Sequence, residues 1–315
     1  MSKNSKPILV VAGDPKSIFL EIYFKSLKLS KISNPLILIV NETILINQMR
    51  LLKYQFKLNK LKNENINFKK IDNKMINYID VPFKSKNIVD YIERSFQLAI
   101  RLLKRDKKLQ LLNGPINKKK FLKGKYLGIT EYLGSKTNSI TNVVMLIFNR
   151  KLSVSPITTH VPLKKVHLLI SKKRIINHVK LINEFYKKRF NIKPKIALTG
   201  LNPHCESNFN NSEETKVINP TISYLKKQKF NVSGPFPADT IFLKNNFKKF
   251  DVIIGMYHDQ VLGPIKSIFE FDAINITLGL PFNRVSPDHG PNEKMFGKNK
   301  SNPNSLLKAI KFLDN

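Results

Sequence analysis

Cysteine, tryptophan, arginine and long apolar runs are scarce or missing in these 315 residues, and each shortage excludes a class of protein. The lone cysteine, Cys205, rules out an internal disulfide and any cysteine-rich zinc or iron–sulfur cluster. It fits a reducing compartment, so a cytoplasmic protein is expected. No run approaches the ~18 apolar residues of a membrane-spanning helix, so no membrane partner is expected. The N-terminus, MSKNSKPILVVAGDPKS, has only ILVVA before Asp14 and Pro15 and no small-residue cleavage site, so it does not read as a signal peptide. No G-x-G-x-x-G follows the first apolar run, so the dinucleotide fingerprint of a Rossmann domain is missing.

Acidic residues are few: 22 against 55 basic ones, for a formal net charge of +33. Such a charge suggests nucleic acid or phosphorylated ligands. Only eight of the basic residues are arginine, however, and the lysines are spread through amphipathic stretches such as KSLKLSK, KKQKF and SLLKAIKF. Base and phosphate readers favour the arginine fork. With no basic stripe interleaved with aromatics, the reading is a solvated lysine surface with no specific nucleic-acid partner.

What is present reads as α/β. ILVVAG (8–13) and PLILIV (35–40) are apolar runs without alternation, each followed by a helical pattern, the second spanning 43–56. That is the signature of parallel strands covered on both faces. The polar stretch 58–77 reads as a loop, and 87–105 as an amphipathic helix leading to a strand in LQLLNGP. NVVMLIFN and KLSVSPITTH flank Asn149-Arg150 and predict an antiparallel pair. A helix over 162–190, strands at 195–200, 251–258 and 273–279, and a closing helix complete the pattern, with the middle segment forming a second lobe.

Three of the six histidines share one placement. His160 closes SPITTH, His204 follows the strand at 195–200, and His258 closes DVIIGMYH. In open α/β sheets the carboxyl ends of strands converge on the ligand crevice. Three neutral imidazoles can hold one divalent cation and leave positions open for substrate, with Asp259 or Asp239 orienting a ligand. Each is equally compatible with an ordinary strand-end histidine. His167 and His178 read as surface or packing residues. Beyond His258, Lys266 offers a point charge, Arg284 a planar fork for phosphate or carboxylate, and Asn275 a polar group in an apolar strand that needs a partner.

Taken in order, GDP with Glu21, NGPINK (113–118), GITEYL (128–133), TTHVPL (158–163), GLNPH (200–204), GPFPADT (234–240), YHDQ and NITLGLPFNRVSPDHG (275–290) resemble the 4-hydroxythreonine-4-phosphate dehydrogenase family of vitamin B6 biosynthesis over essentially the whole chain. The resemblance implies a two-lobed α/β/α fold like isocitrate and isopropylmalate dehydrogenases. One lobe would span 1–130 with about 280–315, the other about 131–279, with the active-site cleft between them. It implies metal ligands His160, His204 and His258, and substrate contacts from Thr130, Lys266, Asn275 and Arg284. It further implies catalytic roles for Asp239 and Lys266, and cofactor contacts from His289 and Gly290. The family is a homodimer using NAD or NADP and one divalent metal ion (zinc, cobalt or magnesium), of which an all-imidazole site suits magnesium least.

The implied reaction is oxidative decarboxylation of a phosphorylated small molecule, 4-phosphooxy-L-threonine. The alternative is a paralogous dehydrogenase of threonate or erythronate phosphate. The chain departs from the family pattern at Ile129, usually histidine, and at Val261, usually glycine. It also departs in GDPKSIFLE and in 205–214, both normally richer in glycine, and at Pro291 and Asn292.

Overall fold

The computed structural model describes residues 6–62, 66–68, 71–83, 87–140, 142–205, 210–270 and 272–315. The chain divides into two compact units, Met1–Lys125 with Pro281–Asn315, and Tyr126–Leu280. Twelve strands occur among the described residues: β1 (Ile8–Val11), β2 (Leu36–Val40), β3 (Leu58–Lys60), β4 (Ile76–Asp80), β5 (Gln110–Asn113), β6 (Val144–Phe148), β7 (Ser153–Thr158), β8 (Ile196–Thr199), β9 (Val232–Phe236), β10 (Val252–Tyr257), β11 (Ile274–Leu278) and β12 (Arg284–Pro287). This is a mixed α/β fold. Among the described residues no helix is long and apolar enough to cross a membrane.

In the first unit the order is β3-β4-β2-β1-β5-β12, every pairing parallel. β1 and β2 are buried along their whole length, as expected of branched apolar runs sandwiched between helices. Asn41 and Asn87 start the helices Glu42–Leu51 and Ile88–Arg105 by accepting from Ile44 N and Asp90 N. The loop after β1 interlocks with the turn after β5. A Cβ on Gly13 (φ +81°) would lie 2.5 Å from Pro115 O, and one on Gly114 2.3 Å from Ala12 O. Only glycine permits that approach.

The structure corrects the sequence reading in three places here. The stretch 58–77 is not simply a loop, since it supplies β3 and the start of β4; its residues 63–65 and 69–70 lie outside the described set. Polar Asn77 hides β4 in the sequence, yet it is buried, with its amide donating to Asp72 O and Met75 O. The helix expected to reach 56 ends at Leu51, just before Lys53 turns left-handed (φ 57°). β12 was not foreseen either, because it begins with Arg284 and ends with Pro287.

In the second unit the order is β11-β6-β7-β10-β8-β9. β6 runs antiparallel to both neighbours, as its hairpin predicts, and the remaining pairings are parallel. The helix expected over 162–190 is broken. Ile170 is extended, and Ser171 caps the long helix Lys172–Phe190 by accepting from Arg174 N. Val154, Ala197, Ile253, Val261 and Ile265 pack in the core beneath β10. Val261 is fully buried, and its Cγ1 lies 2.4 Å from where a Cβ on Gly255 would sit. Its bulk is spent on core packing.

Candidate metal and substrate site

β7 and β10 pair in register up to Thr158 opposite Tyr257, so the residues that follow leave the sheet at the same level. His160 and His258 therefore face each other, with ring centroids 5.3 Å apart. The Thr158 hydroxyl fixes this level by donating to Met256 O (2.8 Å). The two imidazoles line a cavity of ≈ 300 Å³ with Thr159, Val161, Leu163, Val166, Tyr257 and Asp259. His258 Nδ1 lies 2.6 Å from Asp259 Oδ1. That carboxylate holds the proton on Nδ1 and leaves the Nε2 lone pair for a cation, the usual outer support of a metal-bound histidine.

The helix Ile129–Lys136 brings a second set of groups to the same place. Gly128 caps it, and a Cβ there would lie 2.9 Å from Glu131 Oε2 and 3.1 Å from His160 Nδ1. Glycine thus lets the carboxylate and the imidazole share one small cradle. Thr159 Oγ1 donates to Glu131 Oε1 (2.9 Å), while Glu131 Oε2 is buried with no hydrogen-bond partner among the described residues. Thr130, the neighbour of Glu131, meets Thr277 on β11 (Oγ1 to Oγ1, 3.2 Å). Asn275 lies two residues before Thr277, so both side chains occupy one face of β11. Its Oδ1 is also buried and without a partner among the described residues. An orphaned amide oxygen beside a threonine pair is suited to a polar ligand.

His204 is placed differently. It lies in a short 3-10 turn, Pro203–Cys205, with left-handed backbone (φ 57°), and its side chain is exposed. Glu214, 1% exposed, braces the turn: Oε1 accepts Leu201 N (2.7 Å) and Asn202 N (2.9 Å), and Oε2 accepts Asn202 Nδ2 (2.7 Å). Burial pushes the Glu214 carboxyl up, but the hydrogen bonds from Asn202 and Leu201 outweigh it and hold the group below its ordinary range. Among the described residues no set of three His, Cys, Asp or Glu side chains stands ready to hold a metal. The paired imidazoles, the Asp259 support and the orphaned carboxylate oxygen nonetheless fit a divalent cation.

The other expected residues are scattered. Lys266 is half-buried on the helix His258–Phe269, about 12 Å along the axis from His258. Asp239 is exposed on the short helix Ala238–Ile241 and does not line the cavity. In the first unit, Arg284 is 2% exposed and its Nε donates to Asn113 Oδ1 (2.8 Å). His289 Nδ1 and Gly290 O are 3.0 Å apart in a loop whose ends are tied by Ile18 N to Pro291 O (3.1 Å) and Asp288 N to Ser305 Oγ (3.0 Å). A Cβ on Gly290 would meet nothing within 4 Å, which leaves room for a ligand. Sequence reading missed Glu131 and Glu214, and gave no role to Gln260 of YHDQ; their signal lies in contacts between distant segments.

The model of the family "Pyridoxal phosphate biosynthetic protein PdxA" matches residues 31–313. The chain belongs to this family. A relative named 4-hydroxythreonine-4-phosphate dehydrogenase, from Sulfurihydrogenibium sp. (strain YO3AOP1), is 36% identical over 96% of each chain. A relative from Oceanobacillus iheyensis, provisionally named D-threonate 4-phosphate dehydrogenase, is 37% identical over 68% of this chain and 65% of its own. The crystal structure of 4-hydroxythreonine-4-phosphate dehydrogenase from Klebsiella pneumoniae superposes with a TM-score of 0.81, at 28% identity and 98% coverage of both chains. PdxA membership makes the protein an oxidoreductase of vitamin B6 biosynthesis.

Proposed function

We propose that the protein oxidises and decarboxylates 4-phosphooxy-L-threonine, giving 3-amino-2-oxopropyl phosphate and carbon dioxide. The observation that supports this most is the register-matched pair His160 and His258 beside half-buried Glu131, whose Oε2 has no hydrogen-bond partner among the described residues. His160, His204 and His258 would hold the divalent ion, and the loop with His289 and Gly290 would contact NAD or NADP. When bound, the dinucleotide accepts the hydride, and the cation supplies Lewis acidity that stabilises the charge left as carbon dioxide departs.

The protein's own groups supply the rest. Asp259 orients His258 through Nδ1. Thr130, from the helix Ile129–Lys136, and Asn275, from β11, hydrogen-bond the substrate. Lys266 and Arg284 hold the phosphate, so that binding energy from a non-reacting group orients the reacting carbon. Proton transfer to and from the substrate falls to Lys266 Nζ and the Asp239 carboxylate. The protein acts as a homodimer, whose second copy would cover the exposed Leu163 and Leu168 (69% and 71% exposed). His204, carried by the turn that Glu214 braces, is proposed as the third ligand.

The test is to offer the purified protein 4-phosphooxy-L-threonine, a dinucleotide and each divalent metal, and to follow reduced nicotinamide. Metal-dependent reduction with release of carbon dioxide is expected; turnover only of another acid phosphate would overturn the assignment. A second reading, action on threonate or erythronate phosphate, is favoured by Ile129. This side chain is buried (7% exposed), and as a hydrocarbon it offers a substrate amine no hydrogen bond.

A further inference from the structure

We infer that Gln260 is a positioning residue for the metal ligands, a role that rests on the metal reading above. Gln260 follows His258 by two residues in the first turn of the helix His258–Phe269 and is 7% exposed. Its amide is engaged across two strands. Oε1 accepts from Met256 N (2.7 Å) and from Thr199 Oγ1 (2.8 Å), and Nε2 donates to Gly200 O (2.8 Å).

These partners mark the place where the sheet opens. The register of β10 with β8 runs Val252 with Ile196, Ile253 with Ala197 and Ile254 with Leu198, and stops there. Just beyond it, Met256 N–H and Gly200 C=O are both taken by Gln260. The side-chain amide thus acts as an extra peptide group wedged between the strands. It continues the ladder of donors and acceptors while holding the two backbones apart by its own width. Met256 lies two residues before His258 and Gly200 four before His204, so one side chain sets the starting points of both ligand-bearing segments.

A wedge of this kind must both donate and accept. Glutamate has nearly the same shape and keeps the acceptor for Met256 and Thr199. An ionised carboxylate, however, cannot donate to Gly200 O and sets an oxygen against it. Gln260→Glu therefore removes the donor to Gly200 O and places a charge at a buried position, so it is read beside the neutral Thr199→Val. Leaving buried donors or acceptors unmatched also costs stability, so metal binding and folding are read separately.

The experiment titrates Co2+ into the full-length protein, recording its ligand-field absorption, with melting followed in parallel. In Gln260→Glu the Co2+ affinity is expected to fall by about 10–100-fold with an altered spectrum, as is usual when the support of a ligand is removed. Thr199→Val, which removes a single bond to Oε1, should weaken Co2+ in the same direction but less, and serves if Gln260→Glu does not fold. The discriminating measurement is a double-mutant cycle: His204→Ala should cost less affinity in the Gln260→Glu background than in the wild type. Wild-type Co2+ affinity and spectrum in the variants, or costs that simply add, would overturn the role of Gln260. A wild-type protein that gives no histidine-type Co2+ spectrum would instead overturn the metal reading, and this inference with it.

Discussion

His258 and His204 are held by opposite means. His258 is delivered by the sheet: β10 pairs in register with β7, its last residue stands opposite Thr158, and the next side chain emerges facing His160. His204 is delivered by a turn whose backbone is left-handed and whose amides are gathered by a buried carboxylate. A sheet-borne ligand draws its position from many cooperative hydrogen bonds, among them the one from Met256 N to Gln260 just before His258. A turn-borne ligand depends on the few groups that brace the turn.

The largest expected effect is on the sheet-borne side. His258→Ala removes one imidazole of the facing pair, and metal binding and turnover should both be lost. Because the side chain is 31% exposed and the strand before it is unchanged, melting should shift little. Retained turnover, measured with metal present, would break the assignment of His258 as a ligand.

The same contrast decides what could be read from the sequence. β1 and β2 announce themselves because every residue in them is apolar and buried. β9 and β12 do not: one contains Gly234-Pro235, the other starts at Arg284 and ends at Pro287, and both are strands because of their neighbours. His160 and His258 could be singled out because ending an apolar strand is a local property. Glu131 and Gln260 stand in quoted motifs, yet their work is done at separations of 28 residues (to Thr159) and 61 (to Thr199). No local pattern encodes such contacts.

Glu214→Gln sharpens the comparison on the turn-borne side. The amide keeps one acceptor oxygen but replaces the other with a donor directed at Asn202, so the charge-assisted bond from Asn202 Nδ2 is lost. Such a bond is worth about 1.5–3 kcal/mol. The variant should lose roughly 2 kcal/mol of stability and part of its metal affinity, with the His258 side intact. Hydrogen exchange would locate the damage: faster exchange is expected at Leu201 and Asn202, and not at the β10 amides. Equal loosening of β10 would show that the two supports are not separate.

The smallest effect comes from acid, which loosens the underpinning of β7. His178 is buried beneath the strand, with Nε2 3.2 Å from Pro156 O and Nδ1 2.9 Å from Arg174 O. Burial, reinforced by the charge of Arg174, brings its pKa from 6.5 down to about 4, despite both carbonyls favouring the charged ring. Between those values the unfolded chain binds the proton and the folded one does not. The stability is therefore present above pH 6.5 and drains away as pH falls toward 4, amounting to about 0.7 kcal/mol between pH 7 and pH 6. Glu214 is held below the ordinary carboxylate value, so between pH 7 and pH 6 the 200–205 turn keeps its brace while β7 begins to lose support. Denaturant unfolding of the wild type and His178→Gln at stepwise pH should show the gap between them changing steadily below pH 6.5. Parallel curves would mean that His178 titrates in the fold much as it does in water.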